Sequence, residues 1–149
     1  MSHSNDVTEK LNELLEKNYD AEKGFQNAAD DVKNERLKAF FGDKARQRYD
    51  FGHELKAEIS KFGGTPDKGT SVKGDVHRAW MDLKSALTSD KEEEVLEEAI
   101  RGEKAALEEY NEAINEKELP PSTANLLIKQ RNAIERTLQE VKGLEEAFD

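Results

Sequence analysis

Apolar and small residues recur every three or four positions along most of the chain, and this period limits the fold more than any other feature. Such spacing places an apolar stripe along one side of an α-helix, whereas a half-buried strand needs alternation at every second residue. Only three Pro and nine Gly interrupt the 149 residues, and they cluster at a few places. The sequence therefore predicts long helices joined by a few loops, and no strands.

Five helical segments are expected from the positions of these stripes and breaks. The second ends at Gly63-Gly64-Thr65-Pro66 and the last begins after Leu119-Pro120-Pro121, because Gly and Pro stop a helix while Pro is tolerated in a first turn. The third segment is too short to be a full member of a bundle. The expected segments, each to within a few residues, are 5–32, 34–62, 76–89, 90–118 and 122–148.

The connections decide how these helices are arranged. At 1.5 Å per residue, helices of about 28 residues would each be about 42 Å long. Tight links near Lys33 and Pro120 predict two antiparallel hairpins, and segment 63–89 can travel the length of a bundle, so that the helix after it runs parallel to the second. We therefore expect one all-α domain over residues 1–149, a ferritin-like up-down-down-up four-helix bundle with a short extra helix in the long crossover between the second and third bundle helices. An up-down-up-down bundle with short loops is the alternative.

The charge balance excludes two classes of partner. With 23 Lys and Arg against 33 Asp and Glu, the net charge is -10, which repels phosphate backbones and anionic lipid surfaces. We therefore expect neither nucleic acid nor a membrane as a partner. The lack of Cys excludes disulfides and thiolate metal sites, and it fits a reducing compartment. Since residues 1–6 lack the layout of a signal peptide and no apolar run could span a bilayer, a cytoplasmic location is predicted.

Three charged residues, Glu22, Arg48 and Glu103, interrupt the apolar stripes. An ionised side chain inside a bundle is costly unless it is paired or bound to a metal. In the crossover topology the three residues lie about 10, 14 and 12 residues from one end of the bundle, a spread of about 6 Å. They are predicted to meet in a metal-free polar layer, in which the guanidinium of Arg48 neutralises both carboxylates. Further inward-facing members of this layer are Tyr110, Gln130 and Thr137.

A metal site is the alternative interpretation of the same residues. Inward glutamates from two helices are half of the ligand set of ferritin-like di-iron bundles, which also use a Glu-x-x-His motif on each of two further helices. The last helix has no His, and Asp50-Phe51-Gly52-His53 imitates the motif once. The alternative is therefore iron or another divalent metal bound by Glu22, Asp50, His53 and Glu103. No catalytic residue is predicted, since no Cys, and no inward His beside a Ser, supplies a nucleophile and its base.

Several short motifs together resemble a known family, the bacterial ferritin-like bundles catalogued as domain of unknown function 2383. The resemblance covers nearly the whole chain, and it implies a ferritin-like four-helix bundle, a bacterial source and no assigned activity or cofactor. Some distant ferritin-like relatives are associated with stress responses. By motif position the resemblance singles out Glu22, Arg48, Glu54, Glu103 and Tyr110 as polar residues of interest. The motifs are Glu22-Lys23-Gly24-Phe25, Arg48, Glu54-Leu55, Gly63-Gly64-Thr65-Pro66, His77-Arg78-Ala79-Trp80, Arg101-Gly102-Glu103 and Tyr110.

Members of this family often carry a His near the centre of the last helix, where this chain has Ile134-Glu135-Arg136-Thr137. That departure favours the metal-free interpretation. We expect a non-enzymatic helical bundle without a cofactor, a stress-associated structural or interaction protein that forms a homo-oligomer, most simply a dimer. The alternative is a ferritin-like metal-binding protein or iron oxidase with a degenerate carboxylate site.

Overall fold

The computed structural model describes residues 3–69, 75–88, 91–116 and 118–148. Over these residues the chain forms five α-helices and no strand, which confirms the predicted all-α fold. The predicted boundaries agree to within a few residues, except that the fourth helix ends at Ile114 instead of near Glu118. The predicted boundaries at Ser89 and Asp90 lie outside the described residues. The helices are α1 (His3–Asp31), α2 (Glu35–Lys61), α3 (Asp75–Leu87), α4 (Glu92–Ile114) and α5 (Pro121–Ala147).

Local capping fixes both ends of α2. Asn34 lies at its N-cap, where the side-chain oxygen accepts a hydrogen bond from the backbone N–H of Leu37 at 3.1 Å. At the other end Gly63 adopts a φ of 80°, a left-handed conformation that Gly takes without steric penalty. The next amide, that of Gly64, donates back to the carbonyl of Ile59 at 3.0 Å. These contacts close the helix and turn the chain into the crossover.

The helices pack as two hairpins, α1 with α2 and α4 with α5, while α3 lies against α1 and α4. Side-chain pairs between the two hairpins show the directions of the helices. In each pair of helices, a contact at a higher residue number on one helix involves a lower residue number on the other. Both α2 with α5 and α1 with α4 are therefore antiparallel, and α4 runs parallel to α2. The pairs are Lys44–Glu140 and Glu58–Ser122 between α2 and α5, and Lys10–Glu116 and Asn18–Tyr110 between α1 and α4. None of the described helices combines the length and hydropathy that a membrane-spanning segment needs.

The buried core consists of two apolar clusters, one near each end of the helices. Phe25, Phe41 and Leu96 belong to the first cluster, which α3 covers, and Leu11 and Leu55 belong to the second. Along each of the four long helices a buried polar residue separates the stretches that enter the two clusters. These residues are Asn18 on α1, Arg48 on α2, Glu103 on α4 and Thr137 on α5.

Two glycines shape the place where α3 docks, which we call the tryptophan niche: Gly24 of α1 and Gly102 of α4, which face the ring of Trp80. A Cβ added at Gly102 would lie 2.7 Å from Cζ2 of Trp80, and one added at Gly24 would overlap the same ring. The indole is only 5% exposed, and it meets the edge of Phe25 with ring centroids 4.9 Å apart. Helix α3 is therefore held against α1 and α4 by a fit that side chains at these two positions would block.

Substituting Gly102 with Ala tests the tryptophan niche. We expect Gly102→Ala to lower the free energy of unfolding by about 1–3 kcal/mol, because the new methyl group would displace the indole of Trp80. Gly143→Ala is the matched control, since Gly143 also lies within a helix but has nothing within 4 Å of its added Cβ. The control should be stabilised by up to about 1 kcal/mol from helix propensity. Urea unfolding followed by circular dichroism measures both, and equal stabilisation of the two variants would contradict the close fit.

Candidate functional site

The most deeply buried charges form one ion pair between α2 and α4. A guanidinium N–H of Arg48, at Nη2, donates a hydrogen bond to Oε1 of Glu103, and the two side chains are 1% and 0% exposed. Within the described residues no Cα of α2 comes within 8 Å of a Cα of α4, and the long side chains of Arg48 and Glu103 span the space between the two helices. The guanidinium carbon also lies 5.7 Å from the ring centroid of Phe25 and 6.0 Å from that of Phe51. Aromatic rings thus contribute to the surroundings of the buried cation.

The pair is electrostatically balanced but not saturated with hydrogen bonds. Burial raises the pKa of Glu103 above its ordinary value, and the adjacent guanidinium of Arg48 opposes that rise. Two of the buried polar atoms, Nε of Arg48 and Oε2 of Glu103, have no hydrogen-bond partner within the described protein. Because water is excluded from both side chains, removing either partner would leave the other as an uncompensated charge.

A second buried network is centred on Tyr110 and connects four helices. The hydroxyl of Tyr110 donates to Oε1 of Gln130 at 2.6 Å and accepts from Nδ2 of Asn18 at 2.8 Å. Gln130 in turn donates through Nε2 to Oε1 of Glu54 at 3.0 Å, and Lys129 pairs with the other oxygen of that carboxylate at 2.9 Å. Burial raises the pKa of Tyr110 above its ordinary value, so the hydroxyl keeps its proton and can donate it. The network therefore fixes the relative positions of α1, α4, α5 and α2.

The predicted members of the polar layer do not all meet. Arg48 contacts Glu103, and Tyr110 contacts Gln130, but the hydroxyl of Thr137 shares its one proton between the carbonyl of Ala133 at 3.1 Å and Oε1 of Gln47 at 3.3 Å. The buried residue Thr137 is thus hydrogen-bonded to its own helix and to α2, in neither of the two networks.

Glu22 lies away from the pair, contrary to the expectation that Arg48 neutralises two carboxylates. It is half-buried, and it forms no ion pair with Arg48 within the described part of the chain. Burial raises its pKa, and the neighbouring side chains of Lys56 and His53 oppose the rise. The physical reason is the rotation of α1, which turns Ala21 into the core and leaves the next residue beside the outer edge of α2. The observed pair is therefore one guanidinium with one carboxylate.

The four candidate metal ligands are not gathered into one site. Asp50 and His53 are exposed on α2. Asp50 forms an ion pair with Arg46 at 3.4 Å, and the rings of His53 and Tyr49 pack edge to face with their centroids 4.5 Å apart. Glu103 is in the core and Glu22 at the boundary, so the four side chains face different surroundings. Among the described residues, one group of acidic side chains has its oxygen atoms close enough together to share a cation. It consists of Glu93, Glu97 and Glu145. Sequence reasoning did not single out those three residues.

Sequence reasoning also missed the roles of Asn18, Gly24 and Gly102. A signal existed for each. Asn18 falls between Leu15 and Ala21 at the apolar spacing of α1, and a Gly inside a helical pattern is unfavourable for the helix and can mark a close packing contact. The sequence pattern did not identify the partners of these residues, because Tyr110 is distant in the chain from Asn18 and Trp80 is distant from both glycines.

The fold and the site define an all-α protein with a buried ion pair and a buried tyrosine network in its core. A family model described as "Domain of unknown function (DUF2383)" matches residues 6–116, that is 111 of the 149 residues. The chain therefore belongs to that family, and the predicted membership is confirmed. The match covers the sequence from α1 to α4, including Arg48, Glu103 and Tyr110. No curated protein matches the chain significantly.

Removing Arg48 tests the buried pair. We expect Arg48→Ala to lower the free energy of unfolding by about 3–5 kcal/mol, because Glu103 would remain buried without its countercharge. The double variant Arg48→Met with Glu103→Leu should recover most of that loss, since an apolar pair carries no desolvation penalty. Arg46→Ala is the control, because Arg46 is 76% exposed and its ion pair with Asp50 lies on the surface. An unchanged melting temperature for Arg48→Ala would refute the placement of this residue.

Removing the hydroxyl of Tyr110 tests the second network. Tyr110→Phe should destabilise the protein by about 1–3 kcal/mol, because the buried amide groups of Asn18 and Gln130 would lose a partner. Tyr49→Phe makes the same chemical change on a side chain that is 45% exposed, and it should leave stability within about 0.5 kcal/mol. Thermal unfolding of the two variants decides the point, and equal effects would show that the buried hydroxyl contributes nothing specific.

Proposed function

We propose that this chain is a ferritin-like four-helix bundle without a metal centre, which acts as a structural or interaction protein. Its two hairpins, the parallel directions of α2 and α4, and the long crossover that contains α3 support the up-down-down-up arrangement. The family resemblance supports a stress-associated role and a bacterial source as further parts of the proposal. The -10 net charge and the lack of Cys support a cytoplasmic protein that binds neither nucleic acid nor membranes.

The observation that carries the proposal is the fully buried pair of Arg48 and Glu103. In carboxylate bundles that hold metals, inward acids from several helices surround cations in the core. Here the inward Glu103 bonds a guanidinium, which already supplies a fixed positive charge in a water-excluded place. A divalent cation bound next to it would be repelled by that charge. The arginine thus takes the electrostatic role that a metal has in related folds.

The same contacts support a role without catalysis. The carboxylate of Glu103 is engaged by Arg48, and the hydroxyl of Tyr110 both donates and accepts a hydrogen bond within the core. Both groups are buried and already hydrogen-bonded to other protein groups, which favours a structural role for them over proton exchange with a substrate.

Self-association into a homodimer is part of the proposal. Among the described residues, three large apolar side chains are exposed, each on a different helix: Tyr49 at 45%, Met81 at 47% and Ile128 at 42%. Met81 lies on α3, the helix of the crossover, and apolar side chains of this size are common anchors in protein interfaces. Sedimentation of the purified chain would measure the oligomeric state directly, and a monomer at high concentration would remove this part of the proposal.

Metal content and chemical rescue test the proposed function. Protein purified without chelators should contain metal far below one equivalent and should not accelerate the oxidation of iron(II). Arg48→Ala should regain thermal stability when guanidinium is added at millimolar concentration, because the free ion can occupy the place of the deleted side chain beside Glu103. Arg48→Ala with Glu103→Gln is the matched control, and it should gain nothing from the ion. Near-stoichiometric metal with iron turnover in the unmodified chain would instead establish the metal-binding alternative.

A further inference from the structure

The first part of the crossover lies along one stripe of α1. Gly64 packs on Thr8 so closely that an added Cβ would come within 2.7 Å of its methyl carbon. Farther along, Asn12 holds the segment at two points: Nδ2 donates to the carbonyl of Thr65 at 3.0 Å, and Oδ1 accepts from the amide of Asp67 at 2.8 Å. The segment therefore runs in the same direction as α1, back along the bundle towards the docking place of α3.

Two further residues of α1, Glu16 and Tyr19, lie against Asp67 of the crossover. The hydroxyl of Tyr19 donates to the carbonyl of Asp67 at 3.2 Å, and the carboxyl group of Glu16 lies within hydrogen-bonding reach of the carboxyl group of Asp67. Asn12, Glu16 and Tyr19 follow one another at intervals of four and three residues, so they share a helix face. Two carboxyl groups can form a hydrogen bond only when one of them carries a proton.

The surroundings of Glu16 favour that proton. Burial, the hydrogen bond to Asp67 and the negative charge of Asp67 raise the pKa of Glu16 to about 7. From α1 itself Lys17 opposes this rise and Asp20 adds to it. The further charged groups nearby are Lys68 of the crossover and Lys56 of α2, which line one pocket together with Tyr19 and Asp67.

We propose that Glu16 and Asp67 form a proton-dependent latch, which holds the crossover against α1 when Glu16 is protonated and loosens it when Glu16 is ionised. In the ionised state the two carboxylates repel each other, and the contacts of Asn12 and Tyr19 with Asp67 remain. The direction of the pH dependence follows from the linkage between protonation and stability. Because the pKa of Glu16 is raised from 4.5 to about 7 in the folded protein, the stabilisation is complete below pH 4.5 and is lost as the pH rises through 7.

Amide hydrogen exchange of Asp67 tests the latch in the intact chain. Measured by NMR and corrected for the intrinsic exchange rate, the protection of this amide should fall about tenfold or more between about pH 5 and pH 8.5. The midpoint should lie near pH 7. In Glu16→Gln the side-chain amide donates to Asp67 without needing a proton, so protection should stay high and constant over this range.

Two further variants keep the test decisive. Glu9→Gln changes an exposed glutamate of the same helix, and it should keep the pH profile of the unmodified chain. Asp67→Asn provides a donor for ionised Glu16 and should also abolish the pH dependence, which covers the case that Glu16→Gln does not fold. A flat profile in the unmodified chain, or an unchanged midpoint in Glu16→Gln, would overturn the latch.

Discussion

The buried ion pair of Arg48 and Glu103 is the interaction on which the arrangement of the helices depends. Placing two charges out of contact with water carries a large desolvation penalty, which the pair recovers only when its members touch. Among helix packings that bury both side chains, those that bring them into contact recover most of that penalty. Because the pair lies between the two apolar clusters and bridges helices whose backbones stay apart, it selects one register for α2 against α4.

The tyrosine network adds a second condition of the same kind. Its hydrogen bonds reach all four long helices, and they end at Glu54 near the surface, where Lys129 provides a countercharge. Apolar side chains tolerate many packings with similar energy, whereas a buried amide or hydroxyl has few acceptable positions. The two polar groups therefore restrict the helix packings open to a chain in which 38% of the residues are charged.

Local patterns were sufficient for the helices, because the apolar period and the Gly and Pro breaks act within a few residues. They also placed Arg48 and Glu103 in the core. Glu22 shows where such reasoning stops: it follows Ala21 by one position, about 100° around the helix, and only the contacts of α1 with its neighbours decide which of the two faces inward. Asp50 and His53 have the spacing of a metal motif, but the inward side of α2 is occupied by Arg48 and its apolar neighbours. The latch and the tryptophan niche join residues remote in sequence, so no local pattern reveals them.

The tryptophan niche has a practical consequence. Trp80 is the single tryptophan of the chain, and its indole is enclosed by two backbones and an aromatic edge, with an N–H that has no hydrogen-bond partner in the described protein. An indole in such dry surroundings emits at shorter wavelength than one in water. Trp80 is therefore an intrinsic fluorescence probe, and the wavelength of its emission reports whether α3 is packed against α1 and α4.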